Sequence, residues 1–287
     1  MALAGLVRAC HPEPTAAVTV GSALLAVASG RPVAGVLAVA AAVLATQLCT
    51  GWHNDWLDAS RDALVGRSDK PIPSGLVPRR AVGLAALVAG LAAVPLALLS
   101  GVVAGLVLLG ALGSALLYNW PLKFTVLSPV PYAVSFGALP AYIMLGAGVT
   151  PALWLVAAGA CLGVGAHFAN VIPDLADDAR TGVRGLPHRI GATRSAVAAA
   201  VGLGAASALL VLGPAGPPSW LALTGLVTAA SLLLIGGTRR CVGPGRGCCS
   251  GWSSWWPSST WRCWWRPWAG LRRRPHSAHY AVARWRP

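Results

Sequence analysis

Asn54, Asp58 and Asp62 stand four residues apart, and Asn170, Asp174 and Asp178 repeat that spacing 116 residues later. Both stretches read N-x3-D-x3-D. On a helix, residues four apart share a face. Each triplet can therefore turn one amide and two carboxylates to the same side. The chain has eight acidic residues, and all but Glu13 lie within 55–69 or 174–178. Carboxylates this close repel and stay ionised only when cations sit between them. Oxygen-only ligands suit a hard cation, and Mg2+ typically keeps waters and shares its shell with phosphates. The chemistry open to these residues is a pair of carboxylate clusters holding Mg2+ against a diphosphate. The plainer reading, two polar helix ends, does not explain why two matching clusters hold nearly all of the acid.

The elements that must carry these clusters are membrane helices. The chain has 287 residues, 56% hydrophobic and only 10% charged, which is too apolar for a soluble domain of this length. Spanning-length apolar runs recur at about 16–29, 33–51, 81–99, 102–118, 130–145, 153–170, 196–213 and 220–236. The fold class is thus all-α, a polytopic transmembrane bundle of about eight helices. Arg8 and His11-Pro12-Glu13-Pro14 precede the first run, with no separate leader peptide. The connections after the second, fourth and sixth runs carry Arg61, Arg67, Lys70, Arg79, Arg80, Lys123, Arg180, Arg184, Arg189 and Arg194; the remaining connections carry only Arg31. The positive-inside rule places the charged side, and both acidic triplets, in the cytoplasm. Each triplet closes the second helix of a four-helix half. Each is followed by a similar phrase, Arg67-Ser68-Asp69-Lys70-Pro71 and Arg184-Gly185-Leu186-Pro187-His188. The pattern suggests a parallel internal repeat with its site between the halves.

The net charge of +14 invites a nucleic-acid reading, but ten of the basic residues are arginines after Thr238, so no nucleic acid is expected as a partner. The division falls there: 1–238 is the membrane domain and 239–287 an atypical tail. That tail holds eight of the thirteen Trp and four of the seven Cys, with no Asp, Glu or Lys. It has neither helical nor strand period. A frameshifted end replacing a final helix is the favoured reading, and a basic aromatic interfacial tail the other. Cys10, Cys49 and Cys161 read as small apolar residues, with no disulfide or metal framework.

Asn54-Asp55-x2-Asp58-x3-Asp62, then Arg67-x2-Lys70-Pro71-x-Pro73-Ser74-Gly75, then Asp174-x3-Asp178-x3-Gly182 ending in Leu186-Pro187, resemble the UbiA-type membrane prenyltransferases over about residues 8–236. The resemblance implies nine helices around a central cavity, so a ninth is missing or garbled here. It implies Mg2+-dependent transfer of an isoprenoid chain from a prenyl diphosphate to a lipophilic acceptor, at the cytoplasmic face of the cell membrane. The acceptor would be a quinone precursor, another aromatic ring or a lipid alcohol. Asn54, Asp58, Asp62, Asn170, Asp174 and Asp178 would hold the metals, with Asp55 and Asp177 as second choices. Arg67, Lys70 and Lys123 would meet the phosphates, joined by Tyr118 and by Arg184 at the second cluster. His167 is a weaker candidate for acceptor binding. Trp52 and Trp56 read as membrane-boundary residues. Two rivals stand outside this reading: a transporter with an acidic cytoplasmic vestibule, and an inactive product of a damaged reading frame.

Overall fold

Alternation of long apolar runs with short polar connections builds an all-helical molecule. The computed structural model describes residues 2–220 and 223–228, and the structural statements here concern those residues. The calls on 229–287, the atypical tail and its cysteines included, lie outside them, as does most of the eighth expected helix; 223–228 is helical. The helices are α1 (Ala2–Ala9), α2 (Pro12–Ala28), α3 (Val33–Leu64), α4 (Arg79–Leu98), α5 (Val102–Asn119), α6 (Pro129–Gly146), α7 (Leu153–Val171), α8 (Leu175–Arg180) and α9 (Leu186–Leu212). Six are long and apolar enough to cross a membrane: α3, α4, α5, α6, α7 with its continuation to Arg180, and α9.

Several boundaries differ from expectation, each for a local reason. α3 runs unbroken to Leu64, thirteen residues beyond the apolar stretch, and no Pro interrupts the first acidic motif. The second motif is not one helix. α7 stops at Val171, Ile172–Asp174 forms a 3-10 turn around Pro173, and α8 resumes at Leu175. Proline has no N–H for the helical ladder and its ring crowds the preceding turn. α9 begins at Leu186, ten residues before the apolar run, and breaks at Gly191, whose φ of 81° is left-handed. α1 was not anticipated. It is a short amphipathic helix whose Leu6 and Ala9 pack with Val77, Val82 and Trp52, while Leu3 and Val7 are exposed.

Packing follows membrane logic. Large aliphatic side chains such as Leu84, Leu87, Val88 and Leu91 of α4 face outward, where lipid tails can cover them. The interior is built from small residues and a few large ones. Ala26, Val39, Ala42, Val43, Ala97, Ala104, Leu108, Tyr142 and Ile143 form one buried cluster in the half of the bundle away from the acidic motifs. At that end Arg31 donates to Ser100 Oγ at 3.1 Å, and Ser100 shares a 2.9 Å hydrogen bond with Tyr142 Oη. α6 and α7 approach until their backbones touch. A Cβ on Gly159 would lie 2.5 Å from the Phe136 carbonyl oxygen, and one on Gly163 would collide with the Tyr132 carbonyl. This is the close approach that a Gly-x3-Gly spacing permits between membrane helices.

Gly163→Val is expected to push α6 from α7 at a cost of about 1–3 kcal/mol. Thermal unfolding of the detergent-purified protein should show a clear drop in midpoint. Gly204→Val, at a position with no atom within 4 Å of its would-be Cβ, should leave the midpoint nearly unchanged.

Candidate active site

Helix α3 presents one stripe to a central cavity: Gln47, Thr50, Gly51, Asn54, Asp58, Arg61 and Asp62. The spacing of these residues is that of one helical face. From the opposite side α7, its 3-10 turn and α8 contribute His167, Asn170, Asp174 and Asp178. The cavity is about 470 Å³ and is completed by α2, α5, α6 and the start of α9. Both triplets therefore face the same space, although the second spans three short elements rather than one helix.

Three carboxylates in or beside this space, Asp58, Asp69 and Asp174, are each matched by a lysine or an arginine. Lys123 donates to both Asp58 oxygens, at 2.6 and 2.8 Å, and reaches Asn54 Oδ1 at 3.4 Å. Arg61 also bonds Asp58. Lys123 is only 7% exposed. Burial draws its ammonium below the usual lysine range, Asp58 opposes that shift, and Arg61 adds to it. Arg67 spans the two halves, donating to Asp174 at 3.2 Å and forking onto both oxygens of Asp69 at 3.1 and 3.2 Å. Burial tends to raise the Asp69 carboxyl, but the Arg67 hydrogen bond and charge prevail and hold it below its ordinary value. His188 Nε2 lies 3.1 Å from Asp178 Oδ2. Asp62 lines the cavity without a salt-bridge partner among the described residues.

The remaining candidates divide cleanly. Asn54, Asp58, Asp62, Arg67, Lys70, Tyr118, Lys123, Asn170, Asp174 and Asp178 all line the cavity. Arg184 does not. It is exposed beside Arg189, while His188 of the same segment lines the cavity. Asp55 is 3% exposed and faces away from the cavity, bonded to Lys70 Nζ at 2.9 Å and His11 Nε2 at 3.0 Å. It positions Lys70 rather than facing a ligand. Asp177 sits on the outside, paired with Arg180. Neither boundary tryptophan reaches the cavity: Trp52 donates to the Leu6 carbonyl, and Trp56 stacks under Arg79. His167 is fully buried between Tyr118 and Tyr132, with Nε2 at 3.1 Å from Ser128 Oγ. Ser128 also accepts from the Leu186 N–H. A Cβ on Gly185 would meet the Lys123 carbonyl at 2.7 Å, so only glycine lets the two loops close this tightly.

Sequence reasoning passed over Arg61, His188, His11, Gln47 and Tyr132. His188 carried a signal, since it stands beside Pro187 as Lys70 stands beside Pro71, and both serve an aspartate. Arg61 lies three residues after Asp58, a helical neighbour by spacing alone.

Asn54, Asp58, Asp62, Asn170, Asp174 and Asp178 offer oxygen donors only. Among the described residues no three acidic, His or Cys side chains converge into a closed metal cage. That suits Mg2+, which needs one or two carboxylates and takes its other ligands from water and phosphate. The donor set fits such an ion.

A family model for the UbiA prenyltransferase family matches residues 15–240. The chain belongs to the UbiA prenyltransferase family. It is 33% identical over 240 residues to the digeranylgeranylglyceryl phosphate synthase of Methanopyrus kandleri, covering 77% of this chain and 84% of that protein. The synthase of the same name from Pyrococcus abyssi is 33% identical over 150 residues, 52% of this chain and 54% of its own. Among solved structures, a UbiA homolog from Archaeoglobus fulgidus bound to DMAPP and Mg2+ superposes with a TM-score of 0.68 at 14% identity, covering 85% and 89% of the two chains. A UbiA homolog from Aeropyrum pernix K1 superposes at 0.61 with 21% identity, covering 79% and 88%. At these identities the superpositions speak for the fold, which this UbiA-family prenyltransferase shares.

Asp55→Ala should destabilise the protein by about 3 kcal/mol, because it strands a partly buried lysine without its partner. Asp177→Ala removes an exposed pair and should cost well under about 1 kcal/mol. Chemical unfolding of the two variants side by side checks the difference.

Proposed function

We propose that this prenyltransferase moves the isoprenoid chain of a prenyl diphosphate, with Mg2+, onto the hydroxyl of a lipid acceptor bearing a glyceryl phosphate. The observation that carries the reading is the pair of carboxylate clusters facing one cavity with Arg61, Arg67, Lys70 and Lys123 between them. A passing metal ion would need the acids alone; a diphosphate needs the cations as well. The name shared by the relatives describes a product with two geranylgeranyl chains on a glyceryl phosphate. Such a product requires an acceptor that already has one chain and keeps a free hydroxyl. The quinone-precursor acceptor expected from the sequence has no counterpart among these relatives.

Asn54, Asp58 and Asp62 would hold one Mg2+ and Asn170, Asp174 and Asp178 a second. Bound Mg2+ supplies positive charge against the diphosphate as the allylic C–O bond breaks. Lys123 and Arg67 add fixed positive charge where the leaving group gathers its negative charge. Lys70, steadied by Asp55, contributes from the loop after α3. Beneath the charged tier Tyr118, Tyr132 and Phe136 present apolar rings to the chain. They would exclude water from the allylic carbon; the acceptor oxygen would bond to that carbon as its C–O bond to the diphosphate breaks, and the acceptor's proton would leave on the departing diphosphate. The concentration of Arg and Lys at this end of the bundle supports a cytoplasmic site.

Geranylgeranyl diphosphate with a monoalkylated glyceryl phosphate should give the dialkylated product with Mg2+ and none after chelation. The double variant Asp58→Ala/Asp174→Ala should lose about a hundredfold or more in kcat/KM. A folded wild-type protein that neither binds the diphosphate nor makes product would overturn the assignment.

Lys123 also makes a pH prediction. A lowered pKa means its charge is lost at a lower pH than for a free lysine. Donor kcat/KM should therefore fall on the alkaline side before the ordinary lysine range. In Lys123→Arg the fall should move to higher pH, since guanidinium stays charged.

A further inference from the structure

Two guanidinium groups stand next to the cavity and outside its charge balance. The cavity itself takes Arg61, Arg67, Lys70 and Lys123, and each of these is bonded to an aspartate. Arg184 and Arg189 are exposed, and neither has an acidic partner among the described residues. They are held together, since Arg189 Nε donates to the Arg184 carbonyl at 3.1 Å. With Ala179, Val183 and His188 they line a depression of their own. That depression adjoins the cavity, because Val183 and His188 belong to the walls of both. Neighbouring arginines are committed or apart: Arg180 pairs with Asp177, and Arg194 lines neither space.

A lipid acceptor with a glyceryl phosphate brings a second anion, of nearly two charges, to a site that also takes a diphosphate. Inside the cavity its phosphate would face the donor's charge and the carboxylates of Asp58, Asp62, Asp174 and Asp178, and like charges at such range repel. The phosphate needs cations of its own, outside the carboxylate tier yet within covalent reach of it. The depression meets both conditions. Four bonds of a glycerol unit separate the phosphorus from the free hydroxyl oxygen, a span of roughly 5 Å. A phosphate on Arg184 and Arg189 can therefore bring that hydroxyl to the wall shared with the cavity. His188 stands on this wall with its side chain 8% exposed. Its Nε2 meets Asp178, and its buried Nδ1 has no hydrogen-bond partner among the described residues. Guanidinium suits the ligand, because its forked N–H groups match phosphate oxygens two at a time.

We propose that Arg184 and Arg189 form a subsite for the acceptor's phosphate and so select a phosphorylated acceptor over a neutral one. This rests on the prenyl-transfer reading above. The test gives purified full-length protein Mg2+, geranylgeranyl diphosphate and equal amounts of two acceptors. One is a monogeranylgeranyl glyceryl phosphate; the other carries a methyl ether in place of the phosphate. Each keeps one free hydroxyl, and mass spectrometry against standards reads the ratio of the two products. Wild type should favour the phosphorylated acceptor. Arg184→Ala/Arg189→Ala should lower that preference about tenfold, and Arg184→Lys/Arg189→Lys, which keeps both charges, should lower it less. Arg194→Ala, at an exposed position on the same helix, should leave it unchanged. Because the ratio is internal, a partly misfolded variant loses total product and not its ratio. A wild-type ratio near one overturns the subsite while leaving prenyl transfer standing. An unchanged ratio in the double alanine variant overturns it too, and an equal loss of both products there assigns the arginines to bulk anionic lipid. Failure of wild type to use either acceptor removes the function, and the subsite with it.

Discussion

Everything at the working end of this bundle depends on balancing negative charge where two helices bring it together. Asp58, Asp62, Asp174 and Asp178 share one cavity inside a membrane fold. At low dielectric their mutual repulsion would be severe. The protein answers with cations from elements distant in sequence, Lys123 from the loop after α5 and Arg67 from the loop after α3, and with a hydrogen-bonding partner, His188, from the start of α9. Of these four carboxylates, Asp62 is the one with no lysine, arginine or histidine partner among the described residues. Carboxylates and cations thus share one cavity.

That balance explains much of the architecture around it. The loop after α3 must reach across to the second half, and Arg67 bridges Asp69 and Asp174 at its tip. Its far end packs on α1, where Val77 meets Leu6 and Ala9, and Lys70 ties the loop back to Asp55 of α3. The loop holding Lys123 is locked to the segment before α9 by the close fit at Gly185 and by Ser128, which meets both Leu186 and His167. Side chains that never face a ligand thus decide where the charged ones stand. The bundle below is held by small residues and touching backbones, and lipid-facing leucines need no polar partner.

The sequence alone determined the class of this protein, because its signals are local. Hydropathy over some twenty residues marks a membrane helix whatever surrounds it. The N-x3-D-x3-D spacing assigns six oxygen donors to common faces by helical period, and the cavity contains all six. The boundaries were less legible, since α3 and α9 extend through polar residues that periodicity of apolar residues cannot register. Tertiary structure alone decided which cation meets which acid. Lys123 and Asp58 are 65 residues apart and Arg67 and Asp174 are 107 apart, and no local pattern encodes pairs at such separations. It also left Arg184 exposed and set His188 against the cavity, though both follow the same motif.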